Sequence, residues 1–208
     1  MVTGSSLQLE PVATPAELAA PAREALKATR DSPANIVFTN LSETPAITVA
    51  ATTEIDRALN RMIDTGVRFL FVVDAGGGLV GSISSYDIAG EKPIRFLQAR
   101  GGHFNANARA DVLVRDIMAP IETWRVLDSS IARRATVGEI ADALERTGLT
   151  HLVVVSPGRA ATLDRPGIPA RVEGLFSATR IERALGAALA LADIRHTFAD
   201  IEQALSHE

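Results

Sequence analysis

The stretch IDRALNRMIDTGVRFLFVVD, residues 55–74, decides the fold, because it carries two periodicities with a glycine between them. Ile55, Leu59, Met62 and Ile63 fall at i, i+4, i+7 and i+8, which is one face of a helix. Gly66 stops that helix, since glycine takes the left-handed backbone of a helix end without a Cβ penalty. Phe69 to Val73 is then an unbroken apolar run, the mark of a strand buried on both faces. Outward from it, Ile47-Thr-Val49 reads as a short strand before the helix. Asp74 to Gly78 is a tight turn, Leu79 to Ser84 the returning strand, and Ser85 to Ala89 a short helix ending at Gly90.

The same order comes back further along the chain, and such repeats fix an architecture. Val137, Ile140, Ala141 and Leu144 mark a second amphipathic helix, Gly148 stops it, and Leu152 to Val155 is a second buried strand. Superposing Gly148 on Gly66 sets an offset of 82 residues, and Ile55–Asp74 aligns with Val137–Ser156 without a gap. Thr65/Thr147, Gly66/Gly148, Leu70/Leu152, Val72/Val154 and Val73/Val155 are identical. GLFSATRI at 174–181 then matches GSISSYDI at 81–88 with an offset of 93, so the second hairpin is 11 residues longer. Its extra residues include Pro157, Pro166 and Pro169, which suit a loop. A unit of roughly 60 residues is marginal alone, burying only about 60% of its unfolded surface. Two units that cover each other's sheets solve that problem. The fold expected is mixed α/β (α+β): two pseudo-symmetric strand-helix-strand-strand-helix repeats packed sheet to sheet.

Composition narrows the function. The 208 residues are 47% hydrophobic, enough for a core, and carry a net charge of −4, the wrong sign for a chain that neutralises nucleic-acid phosphates. There are no cysteines, which excludes disulfides, thiol catalysis and cysteine metal sites. No apolar run is long enough to span a bilayer, and MVTGSSLQLEPVA lacks the basic start and apolar centre of a secretory signal. No nucleic acid, no membrane and a cytoplasmic location are therefore expected.

Five segments follow from this reading. Residues 1–35 are an extension, unstructured to residue 14 and then helical from Pro15 to Ala28 with Thr14 as cap. Residues 36–100 hold the first repeat, 101–120 a linker and 121–186 the second repeat. Residues 187–208 are an amphipathic helix, with Ile194, Phe198, Ile201 and Leu205 on one face.

GVRFLFVVD at 66–74, LVGSISSYDI at 79–88, GLTHLVVVS at 148–156 and VEGLFSATRI at 172–181 together resemble tandem cystathionine β-synthase (CBS) domains, the arrangement called a Bateman module. The family pattern of glycine, two apolar residues, Ser or Thr, two variable residues and Asp is met by Gly81, Ser84 and Asp87. The resemblance spans about residues 47–186. It implies a regulatory, non-enzymatic module that binds adenosine-containing ligands in clefts between the repeats and pairs into homodimers. It implies no required cofactor; AMP, ADP, ATP or S-adenosylmethionine is the ligand class, and the protein target is open.

The residue chemistry of such a site can be stated. An ionised carboxylate at Asp87 has two acceptor oxygens for the two hydroxyls of a ribose. Ser84 stands where a strand becomes a helix, and its hydroxyl with the free N–H groups of the first turn can hold a phosphate. Ile47 and Phe69 are candidates for an apolar base slot, and Arg68 for charge against a phosphate. With Tyr86 beside Asp87, the nucleotide-binding set is Ile47, Arg68, Phe69, Ser84, Tyr86 and Asp87. Ser84-x-x-Asp87 is also the spacing of a capping box, which needs no ligand. The readings differ in one test: a ligand role predicts that Asp87→Ala weakens binding with melting nearly intact, a cap role that it costs stability. The second repeat keeps Gly174 and Ser177 but has Arg180 in place of the Asp, and a guanidinium cannot accept from ribose hydroxyls. His151, Ser177 and Arg180 are the second-cleft candidates, with Arg180 either a phosphate grip or a bland surface or plugging arginine.

Nothing else in the chain converges. The four histidines have no metal-ligand spacing, and no phosphate loop, nucleophile elbow or zinc helix motif occurs, so neither catalysis nor a metal site is expected. Trp124 is expected to pack in the core. The alternative function is a structural or protein-interaction module with an empty cleft, docking through its C-terminal helix.

Overall fold

The computed structural model describes residues 27–101, 106–158 and 170–191. Most of the helix expected over 15–28, most of the one over 187–208, His103, His196, His207, Pro166 and Pro169 lie outside the described residues, and Lys27 and Ala28 are not helical.

In chain order the elements are β1 (Phe38–Asn40), β2 (Thr48–Ala50), α1 (Ile55–Thr65), β3 (Phe69–Val73), β4 (Leu79–Ser84), α2 (Ser85–Ala89), α3 (Lys92–Ala99), α4 (Ala106–Ala110), α5 (Val114–Ile117) and β5 (Ala119–Pro120). The second half continues with β6 (Val126–Asp128), α6 (Ser129–Ala132), α7 (Val137–Thr147), β7 (His151–Ser156), β8 (Arg171–Ser177) and α8 (Ala178–Leu185). They build two sheets of four strands, β2-β3-β4-β5 and β1-β8-β7-β6. The fold is the mixed α/β pair read from the repeat. In each half the leading strand runs parallel to the buried one (β2 with β3, β6 with β7), and the hairpin carries a register shift at the same place, Val72/Val73 and Val154/Val155.

Each half has its own core, set by strand alternation. Leu70 and Val72 point into the first core with Ile55, Met62 and Ile83. Leu152 and Val154 point into the second with Ile140, Leu144 and Phe176. The opposite faces of β3 and β7 carry Phe69, Phe71, His151 and Val153 toward the other half, and Phe69 meets His151 there. Helices α1 and α7 end at Gly66 and Gly148, with φ of 68° and 66°. One detail of the helix face differs from the expectation: α1 buries Ile55, Ala58 and Met62, and Ile63 is 68% exposed.

The halves also exchange segments, and the boundary expected at 36 falls within one of them. Residues 33–40 precede the first half, yet Ala34 and Val37 lie in the second core and β1 pairs with β8. Residues 112–120 precede the second half, yet Val112, Val114 and Ile117 lie in the first core and β5 pairs with β4. Val112, Val114 and Ile117 of the expected linker are thus core of the first half, and each three-stranded sheet gains a fourth strand. The exchange explains the glycine of the repeated motif. A Cβ on Gly81 would stand 2.5 Å from the Ala119 carbonyl oxygen, and one on Gly174 2.2 Å from the Thr39 carbonyl oxygen. No side chain fits where the fourth strand crosses.

Past α8 the chain does not continue as helix through 187–191. It runs over the second core, burying Leu189 and Leu191, with the Leu189 and Ala190 N–H groups donating to Glu182 and Glu145.

Candidate functional site

Two cavities open between the halves, each built from the motif end of one half and the strand start of the other. The first, about 680 Å³, has Ser84, Tyr86 and Asp87 on one side and Thr150 and His151 on the other, with Trp124 and Arg125 leading into β6. The second, about 980 Å³, has Ser177 and Arg180 facing Ile47, Arg68 and Phe69. Phe69 and His151 line both.

The nucleotide-binding set read from the sequence is therefore divided. Phe69, Ser84, Tyr86 and Asp87 share the first cavity, while Ile47 and Arg68 lie in the second beside Ser177 and Arg180. The reason is the symmetry of the pair. Thr48 pairs with Phe71 as Val126 pairs with Val153, so Ile47 corresponds to Arg125 and Ala46 to Trp124. The strand start that faces Asp87 is the one belonging to the other half. Trp124 consequently leaves the expected core position. It is half-buried on the cavity wall, its Nε1–H donating to the Ala119 carbonyl (3.2 Å) and its ring 6.1 Å from Phe71. Trp124 and Arg125 were legible only by extending the repeat upstream, where the offset drops from 82 to 78 because the four residues of α6 are inserted.

The Ser84–Asp87 unit is a formed capping box. Asp87 Oδ2 accepts from the Ser84 N–H and hydroxyl, both at 2.7 Å, and the Asp87 N–H donates to Ser84 Oγ at 3.2 Å. The cap uses one carboxylate oxygen. The other, Oδ1, accepts from Lys92 Nζ at 2.6 Å. Lys92 begins α3, and its ammonium also donates to the Ile117 carbonyl at 3.3 Å, next to β5. A carboxylate offers about four lone-pair sites. Oδ2 is fully committed, so any diol must meet Asp87 through Oδ1, in competition with Lys92. The unit thus acts as a cap without any ligand, and Asp87→Ala has a structural cost that a pure ligand role would not impose.

The equivalent unit of the second half is open. Ser177 caps α8 with no side-chain hydrogen bond, because Arg180 at the third helical position has no acceptor to reciprocate. Between the cavities, burial pushes the His151 imidazole down to about 4; Arg68 pushes the same way and Asp87 opposes them. The ring is neutral at pH 7, with Nδ1 3.0 Å from Thr150 Oγ1.

Among the described residues no group of three or more His, Asp or Glu is placed to hold a metal, and no helix is long and apolar enough to cross a membrane.

The family model of the CBS domain matches residues 39–92, the span holding β2 to α2 and the capping-box Asp87. Residues 39–92 are a CBS domain. The second half repeats its element order and register, so the chain is built as a CBS pair. Solved structures with a similar fold include an uncharacterized conserved protein from Pyrococcus horikoshii, 17% identical over 76% of this chain and 94% of that one, TM-score 0.49. Another is a CBS domain protein from Thermoplasma acidophilum, 21% identical over 78% and 77%, TM-score 0.48. A third is CBSX2 in complex with AMP, 22% identical over 74% and 94%, TM-score 0.45; a further structure of CBSX2 is from Arabidopsis thaliana. No curated protein matches this chain.

Proposed function

We propose that this CBS pair is a non-enzymatic ligand sensor whose first cavity binds an adenine nucleotide or a related adenosyl compound. The observation that carries the reading is the half-committed carboxylate of Asp87. Its Oδ1 sits in a cavity walled by aromatic faces and rimmed by cations. Trp124 and Phe69 offer faces for a base. Oδ1 accepts from the ribose once Lys92 moves away. Lys92 and Arg125 then stand near a phosphate, while Arg95 is tied to Glu91.

The same exchange supplies a signal. Lys92 links Asp87 to the Ile117 carbonyl, which precedes the strand that crosses to the other half's segment. A diol that takes Asp87 Oδ1 loosens that link between α3 and β5. Ligand then binds the loosened state better, which is the unequal affinity a sensor requires. A homodimer and an unidentified protein target belong to this reading.

Calorimetry of the intact chain with AMP, ADP, ATP and S-adenosylmethionine tests it. Saturable binding of one of them, weakened by Asp87→Asn, is expected. No binding of any of them to the folded protein overturns it, in favour of a capped, ligand-free interaction module.

A further inference from the structure

We propose that the second cavity is a polyanion site, selective for condensed phosphate and indifferent to a nucleoside. The chain is acidic overall, at net −4, yet Arg68, Arg180 and Arg183 all line this one cavity and no Asp or Glu does. They come from two halves: Arg68 from the approach to β3, Arg180 and Arg183 from one face of α8, three residues apart.

Like Arg125 in the first cavity, these three have no ion-pair partner among the described residues, whereas the other two cations of that cavity do. In the first cavity Lys92 is paired with Asp87 and Arg95 with Glu91. Arg109, Arg115 and Arg133 likewise hold carboxylates. Among the described residues none of Arg68, Arg180 and Arg183 has an ion pair or side-chain hydrogen bond. The Ser177 hydroxyl at the head of α8 makes no cap bond either. Hydroxyls of Thr39, Thr44 and Thr179 complete a wall rich in donors. Three like charges around one concavity repel each other unless an anion of matching charge sits among them.

The shape of the charge specifies the ligand. Guanidinium groups hold phosphate oxygens in bidentate fashion and offer no acceptor. With Arg180 where the first half has Asp87, there is no carboxylate for a ribose diol. The cavity, at about 980 Å³, is the larger of the two and can hold a chain of several phosphates. Condensed phosphate could arrive free or as the tail of a nucleotide; the site commits to the phosphate alone. This assignment is independent of what the first cavity binds.

Titration of the intact chain with inorganic tripolyphosphate, followed by calorimetry, tests the proposal. One saturable event per chain is expected. Arg180→Asp, at an exposed position that spares the core, should weaken it about tenfold or more, and Arg68→Ala combined with Arg183→Ala should do the same. Asp87→Asn and the remote surface change Arg134→Ala should leave it within about twofold. In the Asp87→Asn background ATP should bind no more tightly than tripolyphosphate. The proposal fails if tripolyphosphate does not saturate, or if Arg134→Ala weakens it as much as Arg180→Asp. It fails equally if Asp87→Asn abolishes binding, or if ATP binds this site far more tightly than tripolyphosphate in an Arg180-dependent way.

Discussion

Phe69 and His151 are equivalent residues of the two repeats, and their rings meet at 4.8 Å between centroids, tilted by 34°. The contact lies at the pseudo-twofold of the pair, and both rings wall both cavities. An imidazole packed against a phenyl ring and partly shielded from water favours its neutral form, and burial pushes its pKa down to about 4.

That shift makes stability depend on pH in a defined window. The folded pKa of His151 is depressed from 6.5 to about 4, so between those values the unfolded chain binds more protons. The contribution is fully present above pH 6.5 and is lost as pH falls through 6.5 toward 4. Asp128, held below its ordinary 3.8 by hydrogen bonds from Ser130, acts only below that window. We expect the melting temperature of the wild type to fall from pH 7 to pH 4.5, and that of His151→Phe to fall much less. Thermal melts at fixed ionic strength check this; parallel curves for the two proteins would contradict it.

Gly81 and Gly174 mark where a strand from the other half's leading segment crosses. A methyl group at Gly174 would meet the Thr39 carbonyl oxygen and the Phe38 ring, both at 2.2 Å. Gly174→Ala should therefore cost about 1–3 kcal/mol, as overpacking does, and should detach β1 from β8. Denaturant unfolding measures the loss, and amide exchange of residues 38–40 locates it. Unchanged stability with β1 still protected would contradict the segment exchange.

Lys92 competes with a ribose for Asp87 and also supplies charge for a phosphate. Removing it should separate the two effects. Lys92→Met should raise affinity for adenosine, which brings a diol and no phosphate, and lower affinity for AMP relative to adenosine. Paired titrations of the two ligands check this. An equal change for both would show that Lys92 plays only one of the two parts.

How far the sequence carried depended on locality. Helix faces, the Gly66 and Gly148 stops and the hairpins were legible because each is written within about twenty residues of its own repeat. The capping-box spacing at Ser84 and Asp87 was legible for the same reason. The exchanged segments were not, since β1 and β5 are three and two residues long and pair with strands their own periodicity does not name. Ile47 and Arg68 group with Asp87 in a sequence reading because they belong to the same repeat, Ile47 leading into the strand that neighbours that of Phe69. Symmetry instead sets a strand start of the opposite half before each motif, and the four-residue α6 insertion hid the match to Trp124 and Arg125.

Asp87→Asn is the sharpest probe of the cap and the ligand together. The amide keeps a side-chain oxygen for the Ser84 donors, so the capping cost should stay near the ~1 kcal/mol typical of helix caps. It removes the charge that grips Lys92 or a diol.

Trp124, the sole tryptophan, reports on that cavity directly through its fluorescence. Titration of the intact chain with AMP, ADP, ATP and S-adenosylmethionine should give a saturable change in Trp124 emission for at least one of them, about tenfold weaker in the folded Asp87→Asn variant. Emission that stays flat for all four, or that saturates identically in wild type and Asp87→Asn, would contradict the ligand role of Asp87.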